Sequence, residues 1–525
     1  MIKNYRRLFS NQFTIQNTEF FYHFNQIKLK QNLESINFLR EGDEYSKVNL
    51  SIYFPDSNID SFLTNLIIKK YLEKNTNSSY SFKYVGILAK GNVTNCVFPK
   101  YYYKQDLNGS LKEKYFIEFK EILRVLNKYQ KLKEYDLGEF EVVTKDLAGS
   151  EFLLADTIIK DYIQSGIYVK EYSELIIDGE GVTNWDATVN LIEPVFSKGR
   201  PIYTKVVSGN NFIEEEYVIT QLHKYIVDYC INKYGDLLDY DLKSDFDSHE
   251  QLSDIGEKNF LNSLIRKELN EVYIDRKIRL LRILHDIIDK MYNQTDSGLI
   301  VYGTCSYHAI WEKVCSNVFH NLRYNAIKEV WPKLETLFKS DDGKKDKDFM
   351  DIIPQPEWTR ILPPGAKKVT GTLIPDIISI IDNPVKASDG SFKDKIFFVL
   401  DPKYYNLEIE YNANDDDLSV KKNPGVGDIT KQILYEHVYK DKLRNYYDKL
   451  YNILLFPKLY EKDKAGYEVF YNIIGKVRFD LKIFSKNTVW LAGLNPRVIY
   501  DSYLKNNLKG EQELVNIAKE IDVIS

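Results

Sequence analysis

The sequence lacks both a disulfide framework and any long apolar run. Four cysteines occur among 525 residues, and so few in so long a chain are typical of a reducing cytosol. No stretch approaches the roughly 18 apolar residues that a membrane-spanning helix requires. The N-terminal charges Lys3, Arg6 and Arg7 run into polar residues rather than an apolar segment, which argues against a secretory signal. We therefore expect a cytoplasmic protein that does not enter a membrane.

An excess of positive charge is also missing. The 71 Lys and Arg residues are outnumbered by 76 Asp and Glu residues, which gives a formal net charge of −5. Proteins that coat nucleic acid by bulk electrostatics carry a basic field over much of their surface, so any DNA contact here must be local. Disorder is excluded too, because 44% hydrophobic and 14% aromatic residues are enough to form cores.

No phosphate-binding loop for nucleotides is present. The glycine-containing stretch Gly425–Asp428 has no lysine at the offset that grips phosphates. This stretch overlaps the end of segment 412–427, which is acidic at its start. We expect segment 412–427 and the charge-rich segment 340–348 to be surface loops. Any nucleotide that the system uses is therefore expected on a partner and not on this chain.

The length predicts roughly two to four domains, at about 150 residues each. The first predicted elements form an α+β region. Segments 84–89 and 93–98 flank a Lys-Gly-Asn turn and are predicted to form a hairpin. Apolar residues at helical spacing predict helices over about 111–132 and 152–164.

Helices are predicted in the middle of the chain, where they would link its two halves. A helix is predicted over 219–234, ended by Gly235, and a long helical stretch with alternating charges over 259–291. The polar segment 292–298 fits a linker. We therefore expect an N-terminal region, residues 1–292, and a C-terminal domain, residues 293–525.

Two strand-like segments of the C-terminal domain carry polar residues that could take part in catalysis. Leu373–Ile381 contains Asp376 at the head of an apolar run, and Ile396–Tyr405 ends its apolar run with Asp401-Pro402-Lys403. Because side chains alternate along a strand, Asp401 and Lys403 are predicted on one face. An Asp-x-Lys sequence is common on surfaces, but a charged pair that ends five apolar residues is costly to place there without a role.

This set of residues matches the needs of phosphodiester hydrolysis. Two convergent carboxylates supply the oxygen ligands that Mg²⁺ prefers, and a bound cation draws charge from the phosphate and makes water nucleophilic. A neighbouring lysine can orient or deprotonate the water and offset the developing negative charge. Asp376 and Asp401 are thus candidate Mg²⁺ ligands, and Lys403 is the third candidate catalytic residue.

Several segments resemble a known family. Asp376 with Asp401-Pro402-Lys403 resembles the PD-(D/E)XK nuclease signature, and the Tyr404-Tyr405 that follows is similar to the motif ending of McrC-type restriction subunits. Further segments resemble the LlaJI family of restriction endonucleases: Tyr84–Leu88, Val97–Tyr102, Asp178–Gly181, Asn184-Trp185 and Ile310–Cys315. The resemblance covers most of residues 80–460, although only the nuclease motif is specific.

The resemblance implies a fold and an activity. The implied fold is α/β: a C-terminal restriction-endonuclease-like, mixed PD-(D/E)XK sheet flanked by helices, preceded by an α+β N-terminal region with a helical linker. The implied activity is Mg²⁺-dependent cleavage of double-stranded DNA within a restriction system that defends against phage. An McrB-like AAA+ NTPase would be the partner. Two alternatives stay open, a non-catalytic subunit that docks on and stimulates the motor, and a stand-alone DNA repair nuclease.

Further candidate site residues come from the resemblance together with local chemistry. Glu312 is a candidate extra metal ligand from a preceding helix. Candidate DNA contacts are Tyr404, Lys431 and Gln432, and Gly179, Gly181 and Trp185 are candidate partner contacts in the N-terminal region. Pro402 stands where the family has a small residue, and because proline lacks an N–H, it implies a bulge or an edge strand.

Overall fold

The computed structural model describes residues 36–337 and 347–524 with internal gaps. The gaps are residues 57, 91–92, 103–111, 136–150, 215, 239, 241, 243–245, 247–250, 293–298, 362–364, 369–371, 384–394, 413–416, 464–465, 480, 482–486 and 508. The N-terminal charges, nearly all of the predicted linker 292–298 and most of the predicted loop 340–348 therefore lie outside the described residues. Within the described ranges, no helix combines the length and apolar character needed to cross a membrane.

The first described stretch is an α+β segment, as predicted. Its elements are β1 (Ile36–Arg40), β2 (Glu44–Tyr45), α1 (Lys47–Tyr53), α2 (Ile59–Ile68), β3 (Leu72–Lys74), β4 (Tyr80–Phe82), β5 (Val85–Lys90), β6 (Val93–Phe98) and α3 (Lys112–Tyr135). The predicted hairpin is confirmed, because β5 and β6 pair antiparallel from Gly86 opposite Val97 to Lys90 opposite Val93. The predicted helix over 111–132 corresponds to α3.

The middle stretch combines helices with a small sheet. Its elements are α4 (Glu151–Ser165), β7 (Lys170–Ile177), β8 (Val182–Thr183), α5 (Trp185–Leu191), β9 (Val195–Ser197), β10 (Arg200–Ile202), β11 (Val207–Glu214), α6 (Val218–Leu238), α7 (Leu252–Ile255), α8 (Lys258–Glu271), α9 (Asp275–Tyr292) and β12 (Leu299–Thr304). The predicted helical stretch 259–291 is the pair α8 and α9. Helix α6 continues past Gly235, so the predicted stop there is wrong.

The C-terminal stretch contains the predicted mixed sheet. Its elements are α10 (Tyr307–Val318), α11 (Ile327–Val330), a 3-10 helix (Pro332–Leu337), β13 (Glu357–Arg360), β14 (Gly365–Lys368), β15 (Ile377–Asp382), β16 (Lys395–Pro402), β17 (Glu408–Asn412), β18 (Asp417–Lys421), α12 (Val426–Leu443), β19 (Lys449–Pro457), β20 (Tyr471–Arg478), β21 (Thr488–Leu494), α13 (Pro496–Lys505) and α14 (Lys509–Ile524). The predicted loop 412–427 contains β18, which pairs with β17 as a hairpin.

A five-stranded sheet organises this stretch in the order β15-β16-β19-β21-β20. Strand β15 is antiparallel to β16, whereas β16, β19 and β21 run parallel. Strands β16 and β19 are almost entirely buried, which matches the continuous apolar runs of parallel strands covered on both faces. One apolar cluster, which includes Ile378, Phe397, Val399, Trp331 and Tyr439, packs sheet residues against the flanking helices.

The chain divides into two compact units, and the division differs from the predicted one. Residues 148–302 form one unit, and residues 30–147 form the other together with residues 303–525. In the second unit, the Tyr101 and Tyr500 hydroxyls lie 2.5 Å apart, and Arg497 donates to Glu118 over 2.7 Å. The sequence placed residues 30–147 with the N-terminal region because contacts between residues almost 400 positions apart leave no local pattern.

Candidate active site

The sheet brings the three predicted catalytic residues to one place. Asp376 lies directly before β15, Asp401 is the penultimate residue of β16, and Lys403 follows that strand. The Nζ atom of Lys403 lies 3.0 Å from Oδ2 of Asp401, so the two side chains share a face as the strand period predicts. The convergence follows from the register, in which Ile377 pairs with Leu400.

A second carboxylate holds the lysine. Lys403 Nζ lies 3.1 Å from Oδ1 of Asp428, which stands in the first turn of α12. Burial opposes the charge on Lys403, but the carboxylates of Asp401 and Asp428 outweigh it and raise its pKa above the ordinary value. The ammonium group therefore stays charged. Sequence reasoning did not select Asp428, and the only available signal was an acidic residue in the first turn of the helix after the motif.

Asp401 is a buried carboxyl group beside another carboxylate. It is 4% exposed, and burial, together with a hydrogen bond and repulsion from Asp376, raises its pKa to about 8 despite the nearby Lys403. Two carboxylates at hydrogen-bonding distance repel each other unless a proton or a cation lies between them. The pair is therefore arranged to take up positive charge.

The residues fit a hard divalent cation. Oδ1 of Asp401 is buried and has no hydrogen-bond partner, which is costly for a carboxylate. Mg²⁺ is often bound through one or two carboxylates and keeps several waters, and Asp376 with Asp401 matches that donor set. The described residues contain no group of three or more His, Cys, Asp or Glu side chains arranged to hold a metal ion.

Glu312 interacts electrostatically with Asp376. It sits on α10, whose Trp311 donates from Nε1 to the Leu455 carbonyl of β19 over 3.5 Å. Burial and the charge of Asp376 raise the pKa of Glu312, while Arg323 and Lys403 oppose the shift. Glu312, the predicted additional acidic residue, thus interacts electrostatically with Asp376. It is not part of any group of potential metal ligands among the described residues.

Two of the predicted DNA contacts are buried. Gln432 is 0% exposed, and its Nε2 donates to the Val399 carbonyl over 3.1 Å. Tyr404 is 7% exposed, and its hydroxyl donates to Glu41 over 2.5 Å. Neither side chain is placed to reach DNA, because both tie the strand β16 region to neighbouring elements. Only Lys431, which is exposed, keeps the surface position that a phosphate contact needs.

Pro402 occupies neither a bulge nor an edge strand. Strand β16 lies between β15 and β19, and Pro402 pairs in regular register with Leu455. The next residue, Lys403, donates its N–H to the Leu455 carbonyl over 2.8 Å. Successive N–H groups point to opposite edges of a strand, so the missing N–H of Pro402 faces the β15 side. There the pairing stops at Leu400, opposite Ile377, the first residue of β15. The predicted distortion is wrong for that reason.

The predicted partner-contact segment lies in the unit of residues 148–302. Gly179 and Gly181 fall between β7 and β8, and a Cβ atom on Gly181 would lie 2.0 Å from the Gly209 carbonyl oxygen. Residue 181 must therefore be glycine, because the backbone of Gly209 lies too close for a side chain. The residue of this turn with a left-handed backbone is Asp178, with a φ of 56°. Trp185 begins α5 and is 60% exposed.

Comparison with known proteins identifies a family for this chain. A profile described as LlaJI restriction endonuclease matches residues 84–333 and 324–492, which is more than half of the chain. The chain belongs to the LlaJI restriction endonuclease family. The matched ranges contain Asp376, Asp401, Lys403 and Glu312, and also the segment from Gly179 to Trp185.

Two individual proteins are similar to this LlaJI family member. The type II restriction enzyme BsuMI component YdjA of Bacillus subtilis (strain 168) is 28% identical over 457 residues, which cover 86% of this chain and 87% of that protein. A solved half-complex of Thermococcus gammatolerans McrB AAA+ hexamers with bound McrC contains a chain that matches at a TM-score of 0.36 and 10% identity, covering 91% of this chain and 100% of that one.

Proposed function

We propose that this LlaJI family chain cleaves DNA phosphodiester bonds with Mg²⁺ as cofactor. The observation that carries the proposal is the meeting of Asp376, Asp401 and Lys403 at one end of β16, with Oδ1 of Asp401 buried and unpartnered. A bound Mg²⁺ supplies Lewis-acid chemistry, because it polarises the phosphate and acidifies a water molecule. Membership of a restriction endonuclease family supports DNA as the substrate class.

Each residue then has a distinct role. Asp376 and Asp401 would hold the cation, and Glu312 would accept a hydrogen bond from a water beside them. Lys403 keeps its proton, since Asp401 and Asp428 raise its pKa, so it acts as a hydrogen-bond donor to the water or the phosphate rather than as the base. Burial of Asp401 strengthens these electrostatic interactions by excluding water.

We also propose that the unit of residues 148–302 docks on an McrB-like AAA+ NTPase. Its small sheet and neighbouring elements expose many large apolar side chains: Tyr172, Leu175, Ile177, Val182, Trp185, Val189, Leu191, Val195, Phe196, Ile202 and Ile213. Apolar exposure of this extent on a soluble protein marks an interaction surface. The surface includes the predicted contact Trp185, and the sequence has no nucleotide-binding loop of its own.

Plasmid cleavage tests the nuclease proposal. Purified chain, alone and mixed with its NTPase partner, is incubated with supercoiled DNA and Mg²⁺, and nicked and linear products are measured. Asp376→Asn, Asp401→Asn and Lys403→Met should each reduce cleavage at least a hundredfold, as loss of a metal ligand or of an electrostatic donor does, and a chelator should abolish it.

The matched control is Asp382→Asn. Asp382 ends the same strand β15, is exposed and pairs with Lys395 over 2.6 Å, so its loss should leave cleavage unchanged. If the three site variants cut as well as the control, or if cutting persists in excess chelator, the proposal is wrong. If no condition yields cleavage by the wild type with its partner, a non-catalytic role in stimulating the motor replaces it.

A further inference from the structure

Asp376 lies at an open edge of the five-stranded sheet. Strand β15 is the first in the order β15-β16-β19-β21-β20, so only one of its edges pairs with another strand. An unpaired edge leaves backbone N–H and C=O groups that need other partners. What bonds the open side of β15 therefore decides how firmly the Asp376 carboxylate is placed.

Asn321 bonds this open edge as a neighbouring strand would. Its Nδ2 donates to the Asp376 carbonyl over 2.8 Å, and its Oδ1 accepts the N–H of Ile378 over 3.1 Å. Leu322 continues the pairing, since its N–H donates to the Ile378 carbonyl over 2.8 Å. An amide side chain carries a donor and an acceptor in one plane, so it can match the backbone groups of a strand.

Arg323 secures the backbone immediately before the strand. Its Nη1 donates to the Pro375 carbonyl over 3.0 Å and to the Asp376 carbonyl over 3.1 Å. From the other side, the Tyr435 hydroxyl of α12 donates to the Ile374 carbonyl over 2.8 Å. The backbone from residue 374 to residue 378 is thus held by side chains, and Asp376 lies in its centre.

The same residues connect Asp376 to the helix that carries Glu312. The N–H of Asn321 donates to the Ser316 carbonyl over 3.0 Å, and its Nδ2 also reaches Oγ of Ser316 at 3.2 Å. Ser316 belongs to α10, one turn after Glu312. Displacement of Asn321 would therefore change the position of Asp376 relative to both Asp401 and Glu312.

We propose that Asn321 and Arg323 are positioning residues of the nuclease site. Their hydrogen bonds to Pro375, Asp376 and Ile378 fix the Asp376 carboxylate at the distance from Asp401 that divalent-cation binding requires. Neither residue contacts the reacting atoms. The inference rests on the proposed function, because it concerns the same pair of carboxylates.

The test measures the affinity of the full-length chain for Mn²⁺ in the absence of DNA. The spectroscopic signal of free Mn²⁺ reports how much of the ion remains unbound. Asn321→Ala should weaken Mn²⁺ affinity about tenfold or more, as loss of residues that orient metal ligands commonly does. Arg323→Lys keeps the charge but replaces the planar guanidinium, whose Nη1 reaches both carbonyls, with a compact and strongly hydrated ammonium group, so a several-fold weakening is expected. Asp376→Ala should remove the binding.

Asn95→Ala is the matched control. Asn95 is fully buried, at 0% exposure, and like Asn321 it bonds backbone groups, since its Nδ2 donates to the Tyr53 and Leu88 carbonyls. Its loss should lower the unfolding temperature and leave Mn²⁺ affinity unchanged. Wild-type affinity in folded Asn321→Ala and Arg323→Lys, with binding lost in Asp376→Ala, would overturn the positioning role alone. Wild-type affinity in Asp376→Ala would overturn the proposed metal site itself. If Asn321→Ala does not fold, Arg323→Lys decides the question.

Discussion

Lys403 is bound by two carboxylates with different surroundings, and this predicts different losses when each is removed. Asp401 is buried beside Asp376, whereas Asp428 is partly exposed, with a side-chain exposure of 25%. Asp428→Asn keeps an oxygen that can accept from Lys403 but removes the charge from the interaction. A charge-assisted hydrogen bond contributes about 1 kcal/mol more than a neutral one, so a roughly fivefold slower cleavage step is expected.

Single-turnover cleavage measures that step. The corresponding Asp401→Asn variant should lose far more activity, because Asp401 is also a proposed metal ligand. A loss in Asp428→Asn that equals the loss in Asp401→Asn would contradict an orienting role and indicate a third ligand.

His223 predicts a pH dependence of stability. It is fully buried, and its Nδ1 accepts the N–H of Tyr168 over 2.9 Å. Burial lowers its pKa from 6.5 to about 4, so the folded chain binds fewer protons than the unfolded chain between these values. The free energy of unfolding therefore falls as pH drops from about 6.5 toward 4, by up to roughly 3 kcal/mol.

Thermal unfolding at pH 7 and pH 5 checks this contribution. His223→Asn retains an acceptor for the Tyr168 N–H but does not titrate, so its unfolding temperature should fall less between the two pH values than that of the wild type. The exposed His437 provides the control, since His437→Asn should behave as the wild type does. An equal fall in His223→Asn and the wild type would contradict the assignment.

At the residue scale, the sequence predicted the site correctly where the relative position of two side chains depends only on the alternation of residues along a strand. Asp401 and Lys403 share a face because they are two positions apart on a strand, and that much was predictable. The burial of Gln432 and Tyr404 was not, because it depends on Val399 and Glu41, which are distant in sequence. The interactions of Asn321 with the edge of β15 were hidden for the same reason.

At the element scale, strands β15 and β16 of the five-stranded sheet were predictable but their neighbours were not. Apolar runs located β15 and β16, yet the expectation of a bulge or an edge at Pro402 failed, since it required knowing that the pairing with β15 stops at Leu400, two residues before Pro402. The acidic composition of residues 412–427 suggested a loop and concealed β18. A polar composition indicates that a segment is exposed to solvent, but an exposed hairpin strand can be as polar as a loop. Composition alone therefore could not distinguish the two.

The small sheet of the unit of residues 148–302 yields a prediction about partner binding. Trp185 and Val182 are 60% and 84% exposed, and tryptophan is a favoured interface anchor. Trp185→Ser should weaken co-purification with the NTPase partner by at least tenfold and reduce stimulation of its NTPase rate. Folding should be unaffected because the side chain is not part of a core.

Tyr273→Ser is the control for that experiment. Tyr273 is 89% exposed in the same unit, between α8 and α9, and lies outside the small sheet. Its substitution should leave partner binding intact. Equal binding by wild type, Trp185→Ser and Tyr273→Ser would assign the docking role to another surface and leave the nuclease proposal unchanged.

At the scale of the whole molecule, residues 30–147 belong to the same compact unit as the five-stranded sheet. Glu41 accepts from Tyr404, the residue after Lys403, and Lys100 lies over the Tyr404 ring at 4.3 Å from its centroid. The N-terminal segment thus supports the backbone next to the site. The sequence predicted the α+β character of this segment but not its place in the fold.

The central claim is that Asp376 and Asp401 form a divalent-cation site, and anomalous diffraction from crystals soaked in Mn²⁺ tests it most directly. The account predicts an anomalous peak within about 2.3 Å of one carboxylate oxygen from each residue, with Lys403 still bonded to Asp401 and Asp428. The same soak of Asp401→Asn crystals should show no such peak. Well-ordered wild-type carboxylates without a peak between them at saturating Mn²⁺ would contradict the account.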